Sequence, residues 1–126
     1  MTNTQTTNGI KVSVETFYRP ENGQTEFLFA YRVTLENQND FAVQLLNRHW
    51  FITDSFAQRR EVRGAGVVGE QPIIEPKDCF QYTSGCHFKS EIGKMEGVYE
   101  MLHIAYDERF WVQIPTFLMV TPEKLN

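Results

Sequence analysis

Three glycines in the middle of the chain have the spacing of a phosphate-binding loop. Gly64, Gly66 and Gly69 follow Arg63 and match the pattern G-x-G-x-x-G. In nucleotide-binding folds a strand precedes this pattern and a helix follows it, because the free N–H groups of the helix bind the phosphate. Here Pro72 and a second proline soon after it stand where that helix would begin. The segment is therefore predicted to be an irregular connection between sheets. Phosphate or dinucleotide binding through Arg63 and the three glycines is the alternative.

The histidines and cysteines lack the spacing of metal ligands. Cys79 and Cys86 are separated by an odd number of positions, so on a strand their side chains point to opposite faces. They are expected to form no disulfide with each other and to share no ion. His103 has the parity of Tyr99 and Met101, which predicts a hydrogen-bonded residue on an inner face. The sequence predicts no metal site and no cofactor, and divalent-metal binding is a weaker alternative.

No set of residues has the arrangement of a catalytic site. A hydrolase needs a nucleophile beside a base, or two carboxylates whose environments separate their pKa values. Ser84 precedes Gly85 but is not in a G-x-S-x-G pattern. Asp54, Asp107 and Glu108 fall in predicted turns, where carboxylates are ordinarily solvated. We therefore predict a non-enzyme without catalytic residues.

The elements that must position these residues are strands. Alternating aromatic and β-branched residues, turn signals at near-regular intervals and the lack of a helical period predict an all-β protein. The expected fold is an immunoglobulin- or fibronectin type III-like sandwich of two antiparallel sheets with seven to eight strands. Between Phe41 and Thr53 the parity of the apolar residues changes, so either both faces of this strand are covered or a β-bulge near Asn47 and Arg48 switches the inward face. The bulge is the favoured interpretation. The predicted core includes Ile10, Val12, Phe29, Tyr31, Val33, Trp50, Phe80, Tyr82, Tyr99, Val112 and Ile114.

Composition restricts the compartment and the class of partner. Residues 1–8 are polar and are predicted to be a disordered arm, with residues 9–126 forming a single domain. The net charge of −4 and the absence of a run of basic residues argue against nucleic acid as a partner. No apolar run reaches membrane-spanning length, which argues against a membrane. Without a recognisable signal peptide, and with only two cysteines, the chain is predicted to be cytoplasmic.

Trp111 is the strongest candidate for an interaction surface. Trp111 and Gln113 have the opposite parity to Val112, so they are predicted to face outward when Val112 is inside. Leu102 and Ile104, on the preceding strand, are expected on the same surface. Such an apolar patch would bind a protein partner or a second copy of the chain. The alternative is that a loop covers these residues and completes a satellite core.

Several blocks of sequence together resemble the ApaG family, also called CorD. They are QLLNRHWFITD at 44–54, VRGAGVVGEQP at 62–72, FQYTSG at 80–85 and GKMEGVYEM at 93–101. The resemblance implies the sandwich fold and a bacterial protein with a partner-binding role, since similar domains occur fused to F-box modules. It also implies a link to cobalt and magnesium tolerance. The resulting prediction is a non-enzymatic, cytoplasmic protein-interaction module with a protein partner or with self-association.

Overall fold

The computed structural model describes residues 2–20, 26–55 and 58–122, and almost all of their regular structure is β-strand. Strands β1, β2, β3 and β7 form a four-stranded sheet in that order. The five-stranded sheet has the order β5-β4-β8-β9, with β6 paired to β4, and every pairing in both sheets is antiparallel. The strands are β1 Thr2–Thr7, β2 Ile10–Arg19, β3 Phe27–Asn37, β4 Val43–Asp54, β5 Arg59–Ala65, β6 Ile73–Ile74, β7 Cys79–Phe88, β8 Ile92–His103 and β9 Glu108–Val120. The predicted all-β sandwich of two antiparallel sheets is confirmed.

The polar N-terminal segment is a strand, so the predicted disordered arm is wrong for the part that the structure describes. β1 pairs with β2 from Thr2 opposite Glu15 to Thr7 opposite Ile10. Asn8 and Gly9, both with positive φ, make the two-residue turn that suits such a hairpin. The segment lacks apolar residues because it is an edge strand that pairs through its backbone. Met1 lies outside the described residues.

The predicted bulge in β4 is confirmed and lies at Leu46. The register between β4 and β8 shifts between Leu45 and Asn47. A bulge adds one residue to one strand and so changes which side chains face inward. Leu45 and Trp50 are consequently both buried although their positions have opposite parity.

The core lies between the two sheets and is rich in aromatic rings. Of the predicted core residues only Phe80 is not fully buried, and it packs against the buried cluster. Trp50 is 2% exposed. Its ring makes edge-on contacts with Tyr31, Tyr99 and Phe117 at centroid distances of 5.5, 6.3 and 6.0 Å. The conformation of Trp50 is thus set by aromatic neighbours from both sheets.

Buried hydroxyl groups in the core find partners across the sheets. The hydroxyls of Tyr82 and Tyr99 hydrogen-bond to each other. Burial raises the pKa of both tyrosines, because the charged phenolate is poorly solvated inside the sandwich. Burial also raises the pKa of Tyr31, whose side chain hydrogen-bonds to that of Ser84.

The two open sides of the sandwich are closed differently. On one side β1 lies beside β9, where the Gln113 N–H donates to Thr7 Oγ1 at 3.3 Å. On the other side, the Arg60 guanidinium of β5 reaches β7 and donates to the His87 carbonyl oxygen at 2.7 Å. In the described part of the chain, no helix is long and apolar enough to cross a membrane.

Candidate functional site

An open groove of about 570 Å³ lies on the outer face of the five-stranded sheet. Strands β4, β5, β8 and β9 all contribute to it. The groove brings together two predicted sets of residues, Arg63 and Gly64 from the glycine segment and Trp111 from the proposed interface. The residues that line it are Asn47, Arg48, His49, Arg63, Gly64, Ala65, Glu100 and Trp111.

Strand register explains why these distant positions meet. Glu100 of β8 lies opposite Asn47 on one side and opposite Trp111 on the other. His49 lies opposite Arg63 on β5. Residues directly opposite on neighbouring strands project from the same face of the sheet. Two adjacent rows across the sheet therefore build the groove.

Trp111 is the most exposed aromatic residue of the groove, with 56% of its surface accessible. Beside it, the Glu100 carboxylate accepts hydrogen bonds from Asn47 Nδ2 at 2.7 Å and from Arg109 Nη1 at 3.2 Å. Asn8 Nδ2 donates to the Trp111 carbonyl oxygen at 2.9 Å. The indole is thus exposed on a backbone that is held in place, next to an oriented carboxylate.

The opposite wall of the groove contains an ionic cluster. His49 Nε2 lies 3.0 Å from a carboxylate oxygen of Glu61, and Arg63 Nη2 lies 3.4 Å from the same oxygen. The hydrogen bond with His49 is the main cause that lowers the pKa of Glu61, and the charge of Arg63 lowers it further. The side chain of Arg63 is therefore already engaged with a carboxylate.

Aromatic, amide and charged side chains dominate the lining of the groove. The described residues that line it include no Ser, Thr, Cys or Lys. The groove combines an exposed aromatic ring with charged groups that are held in place by ion pairs.

The glycine segment forms a tight hairpin. Val67 and Glu70 exchange backbone hydrogen bonds of 2.8 and 2.9 Å. Between them Val68 and Gly69 have φ values of 43° and 81°, which is the pattern of a type I′ turn. The short strand Ile73–Ile74 follows, so no helix N-terminus backs the glycines.

The other two glycines of the segment allow close approach. Gly66 N–H donates to the Leu46 carbonyl oxygen at 2.8 Å, which anchors the hairpin to the bulge of β4. A Cβ on Gly66 would lie 2.0 Å from the Glu70 carbonyl oxygen. A Cβ on Gly64 would lie 2.8 Å from the guanidinium of Arg48. The glycine spacing is thus accounted for by packing.

Four groove residues, Asn47, Arg48, His49 and Glu100, are not selected by the sequence analysis. Arg48 is an anchor for the glycine segment, because its Nη1 donates to the carbonyl oxygens of residues 65 and 66 at 2.9 Å each. The available signal was a group of polar and charged residues in the middle of predicted strands. Without the register, nothing in the sequence pairs Asn47 with Glu100.

The predicted apolar patch is interrupted. Leu102 lies opposite Arg109, so the Glu100–Arg109 ion pair separates it from Trp111. Ile104 lies beyond the end of β8, in the 3₁₀ turn Ile104–Tyr106, because the strand ends at His103. Gln113 is half-buried and its Nε2 donates to a carbonyl oxygen of β8. Of the predicted patch, Trp111 alone lines the groove.

The remaining candidate ligands are dispersed. Within residues 2–20, 26–55 and 58–122, no three His, Cys, Asp or Glu side chains are grouped so as to hold a metal ion. Cys79 is exposed and Cys86 is buried, and both are free thiols, as their parity predicts. Burial raises the pKa of Cys86, against the effect of the nearby Arg60.

His103 differs from its prediction. Its ring is stacked between Phe41 and Tyr106, at centroid distances of 3.8 and 4.6 Å. Its buried Nδ1 has no hydrogen-bond partner among the described residues, so the expected inner-face hydrogen bond is wrong.

Comparisons with known proteins agree over most of the chain. Residues 18–103 match the family described as ApaG domain. Protein ApaG of Pseudomonas aeruginosa is 46% identical over 123 residues, covering 93% of this chain and 94% of that protein. Protein ApaG of Nitrosomonas europaea is 45% identical over 121 residues, with the same two coverages.

Two solved structures are similar in both fold and sequence. One is the structural-genomics target SoR45, with a TM-score of 0.90 and 40% identity, covering 94% of this chain and 92% of that chain. The other is a Bordetella pertussis protein described as ApaA, with a TM-score of 0.85 and 40% identity, covering 90% of this chain and 94% of that chain.

Proposed function

The chain belongs to the ApaG domain family, and from that premise we propose that it is a non-enzymatic protein-interaction module whose working surface is the groove around Trp111. The observation that supports this proposal is the exposure of Trp111 within an open groove. Tryptophan is enriched among the residues that dominate binding energy at protein interfaces. An indole left this exposed in the free protein gains most from burial against a partner.

The surroundings of Trp111 suit a specific partner rather than a general apolar contact. Glu100 and Arg109 form an ion pair on one side of the groove, and Glu61 and Arg63 form one on the other. Charged groups around an apolar anchor give an interface its orientation and its selectivity. The proposed partner is another protein that offers an apolar pocket for the indole and polar groups around that pocket.

The proposal includes a cytoplasmic location and no cofactor. Its partner is neither nucleic acid nor a membrane, since the chain is acidic. The link to cobalt and magnesium tolerance, which the family resemblance implies, would act through the bound partner rather than through an ion held by this chain.

Substitution of Trp111 by Arg tests the proposal, and Leu118→Arg on the same strand is the matched control. Leu118 is 51% exposed, close to the 56% of Trp111, but it does not line the groove. Proteins captured from lysate by the wild-type chain would be identified, purified and titrated against all three forms. Loss of an anchor residue typically weakens binding by about 2 kcal/mol. We therefore expect Trp111→Arg to bind the partner with roughly 30-fold lower affinity than the wild type. If both variants bind as tightly as the wild type, the groove is not the working surface.

Phosphate or dinucleotide binding through Gly64–Gly69 is the alternative function. The N–H groups of Gly66, Val67 and Glu70 are already used inside the protein, which disfavours it. We expect ATP and dinucleoside polyphosphates to bind more weakly than about 1 mM, because no helix N-terminus is present to hold them. Micromolar binding that Gly66→Ala removes would instead make this alternative the leading function.

A further inference from the structure

Strand β7 is an edge of the four-stranded sheet that lacks the usual protection. Among the described residues it pairs with β3 alone, in one uninterrupted register from Cys79 opposite Glu36 to Phe88 opposite Phe27. None of its ten residues is Lys, Arg, Asp, Glu or Pro. Natural sheets normally protect an exposed edge with such residues or with a bulge, because unpaired N–H and C=O groups invite another strand.

The other edge strands of the sandwich, β5, β9 and β1, each have a feature that discourages pairing with another strand. β5 carries Arg59, Arg60, Glu61 and Arg63 within seven residues. β9 contains a proline and a register shift, and β1 lies beside it. β1 itself is only six residues long. β7 is thus the long, regular and uncharged edge in the part of the chain that the structure describes.

Two capping contacts identify which backbone groups of β7 face the free edge. The Cys79 N–H donates to Asp78 Oδ1 at 2.8 Å rather than to a neighbouring strand. The His87 carbonyl oxygen accepts from Arg60 Nη2 at 2.7 Å. The carbonyl oxygen of Asp78, an even-numbered neighbour, accepts a hydrogen bond from the Asn37 N–H at the end of β3. The backbone groups at even-numbered positions thus point towards β3. Odd-numbered residues of β7 therefore point their backbone groups away from β3.

Between these two caps lies a window of open backbone. In an antiparallel strand the N–H and C=O of one residue point to the same side, and the side alternates along the chain. The N–H and C=O groups of Gln81, Thr83 and Gly85 consequently project from the free edge. No residue in the described ranges pairs with them.

We propose that β7 pairs antiparallel with β7 of a second copy of this chain, about a two-fold axis at Thr83. The register centred there uses every uncapped edge group, because Thr83 meets Thr83 and Gln81 meets Gly85. The result is a continuous sheet through both copies. A two-fold interface requires a self-complementary surface, since the same residues meet themselves.

The side chains of the window satisfy that requirement. Paired threonines on one face of a sheet stabilise strand pairing, and no like charges meet. Gly85, which would face Gln81, leaves room for the longer side chain. Gly within a strand is typical of a close approach by another backbone.

The charges at the two ends of the window are also complementary. Arg60 lies at the His87 end and Asp78 lies at the Cys79 end. Antiparallel pairing about Thr83 brings Arg60 close to the partner's Asp78, and the two-fold axis repeats this contact. Opposite charges at both ends favour this register over one shifted along the strand.

The dimer is expected to be weak, and it leaves the groove free. Edge pairing over a short window buries less surface than the 1,200 Å² or so that stable interfaces require. We expect dissociation constants of about 10–500 μM. The Trp111 groove lies on the other sheet, so a dimer would display two grooves and bind a partner with paired sites more tightly.

Charge substitutions at Thr83 test the two-fold pairing directly. Sedimentation velocity in reducing buffer, up to about 1 mM protein, should show dimers of the wild type. Thr83→Lys and Thr83→Glu should each weaken the dimer at least tenfold, because like charges then meet on the axis. An equimolar mixture of the two should regain it. Thr4→Lys, on the opposite edge strand of the same sheet, should dimerise like the wild type.

A second measurement needs no variant. Amide hydrogen exchange of the wild type should show protection of Gln81, Thr83 and Gly85 that increases with protein concentration. The alternate residues, which are paired with β3, should be protected at every concentration. A chain that stays monomeric at about 1 mM, or dimers that persist in both charged variants, would overturn the proposal. A monomer whose edge is protected by an added extended peptide would assign β7 to a different partner and also overturn it.

Discussion

The two tryptophans lie on one sheet and have opposite surroundings. Trp50 on β4 is 2% exposed and contacts aromatic rings from both sheets, whereas Trp111 on β9 is 56% exposed beside an ion pair. Both are positioned by the alternation of side chains along a strand. The comparison shows that the inner face of this sheet is packed into the core, while the outer face leaves a large aromatic ring exposed. Substitutions on the two faces should therefore affect different measurements.

The largest expected effect is on the inner face. Trp50→Ala should lower the free energy of unfolding by about 3–5 kcal/mol, because it removes a large buried ring and leaves a cavity. Urea denaturation monitored by circular dichroism would measure the change. A loss below about 1 kcal/mol would show that Trp50 is not part of the core and would remove the contrast with Trp111.

The glycine hairpin at the margin of the groove also contains one packed position, Gly66, and one open position, Gly69. Gly66→Ala should cost at least about 2 kcal/mol, because φ is positive and a Cβ would collide with the Glu70 carbonyl oxygen. Gly69→Ala, with positive φ but open space around it, is the matched control and should cost about 1 kcal/mol. Equal costs for the two variants in thermal unfolding would contradict the packing role of Gly66.

The buried tyrosines predict a pH dependence that belongs to the inner face. Burial raises the pKa of Tyr82 and Tyr99 above the ordinary value of 10.0, so the unfolded chain loses these protons first. Their contribution to the free energy of unfolding is complete below pH 10. It is lost as the pH rises above 10, at on the order of 1 kcal/mol per pH unit for each tyrosine. Tyr82→Phe should flatten this decline in urea denaturation series. Tyr106→Phe, at a position that is 73% exposed, should leave it unchanged.

The smallest change in stability is expected at Trp111. Trp111→Ala should alter the free energy of unfolding by no more than about 0.5 kcal/mol, since the indole contacts few buried groups. Denaturation of this variant beside Trp50→Ala would complete the comparison. A loss above about 2 kcal/mol would show that Trp111 belongs to a satellite core and would remove it as a binding residue.

Alternation of apolar residues was sufficient to predict the two sheets, the bulge in β4 and the opposite faces of the two tryptophans. These features depend on burial, which leaves a pattern with a period of two residues. β1 was missed because Thr2–Thr7 pairs through its backbone and buries little. A polar edge strand and a disordered arm have similar compositions.

The candidate site was only partly predictable. Trp111 could be found from parity, but Asn47 and Glu100 meet through a register that no local pattern specifies. The glycine spacing suggested a phosphate loop, whereas the segment is a hairpin whose turn includes Val68 at positive φ. A β-branched residue is unfavourable in that conformation, so the sequence contains no signal for the turn.

Leu46 is the extra residue of the bulge in β4, so it adds length to the strand without pairing with β8. β4 pairs with β8 through Leu45 and Asn47, and Leu46 has no partner there, although its carbonyl oxygen anchors the glycine hairpin. A deletion of Leu46 would leave the pairing of β4 and β8 in phase, and it would release only the hairpin. Deleting Phe51 instead would make Trp50 and Ile52, which are both buried, neighbours in the strand, so one of them would have to face the solvent. Within this strand, tolerance to the loss of a residue should therefore be confined to the neighbourhood of the bulge.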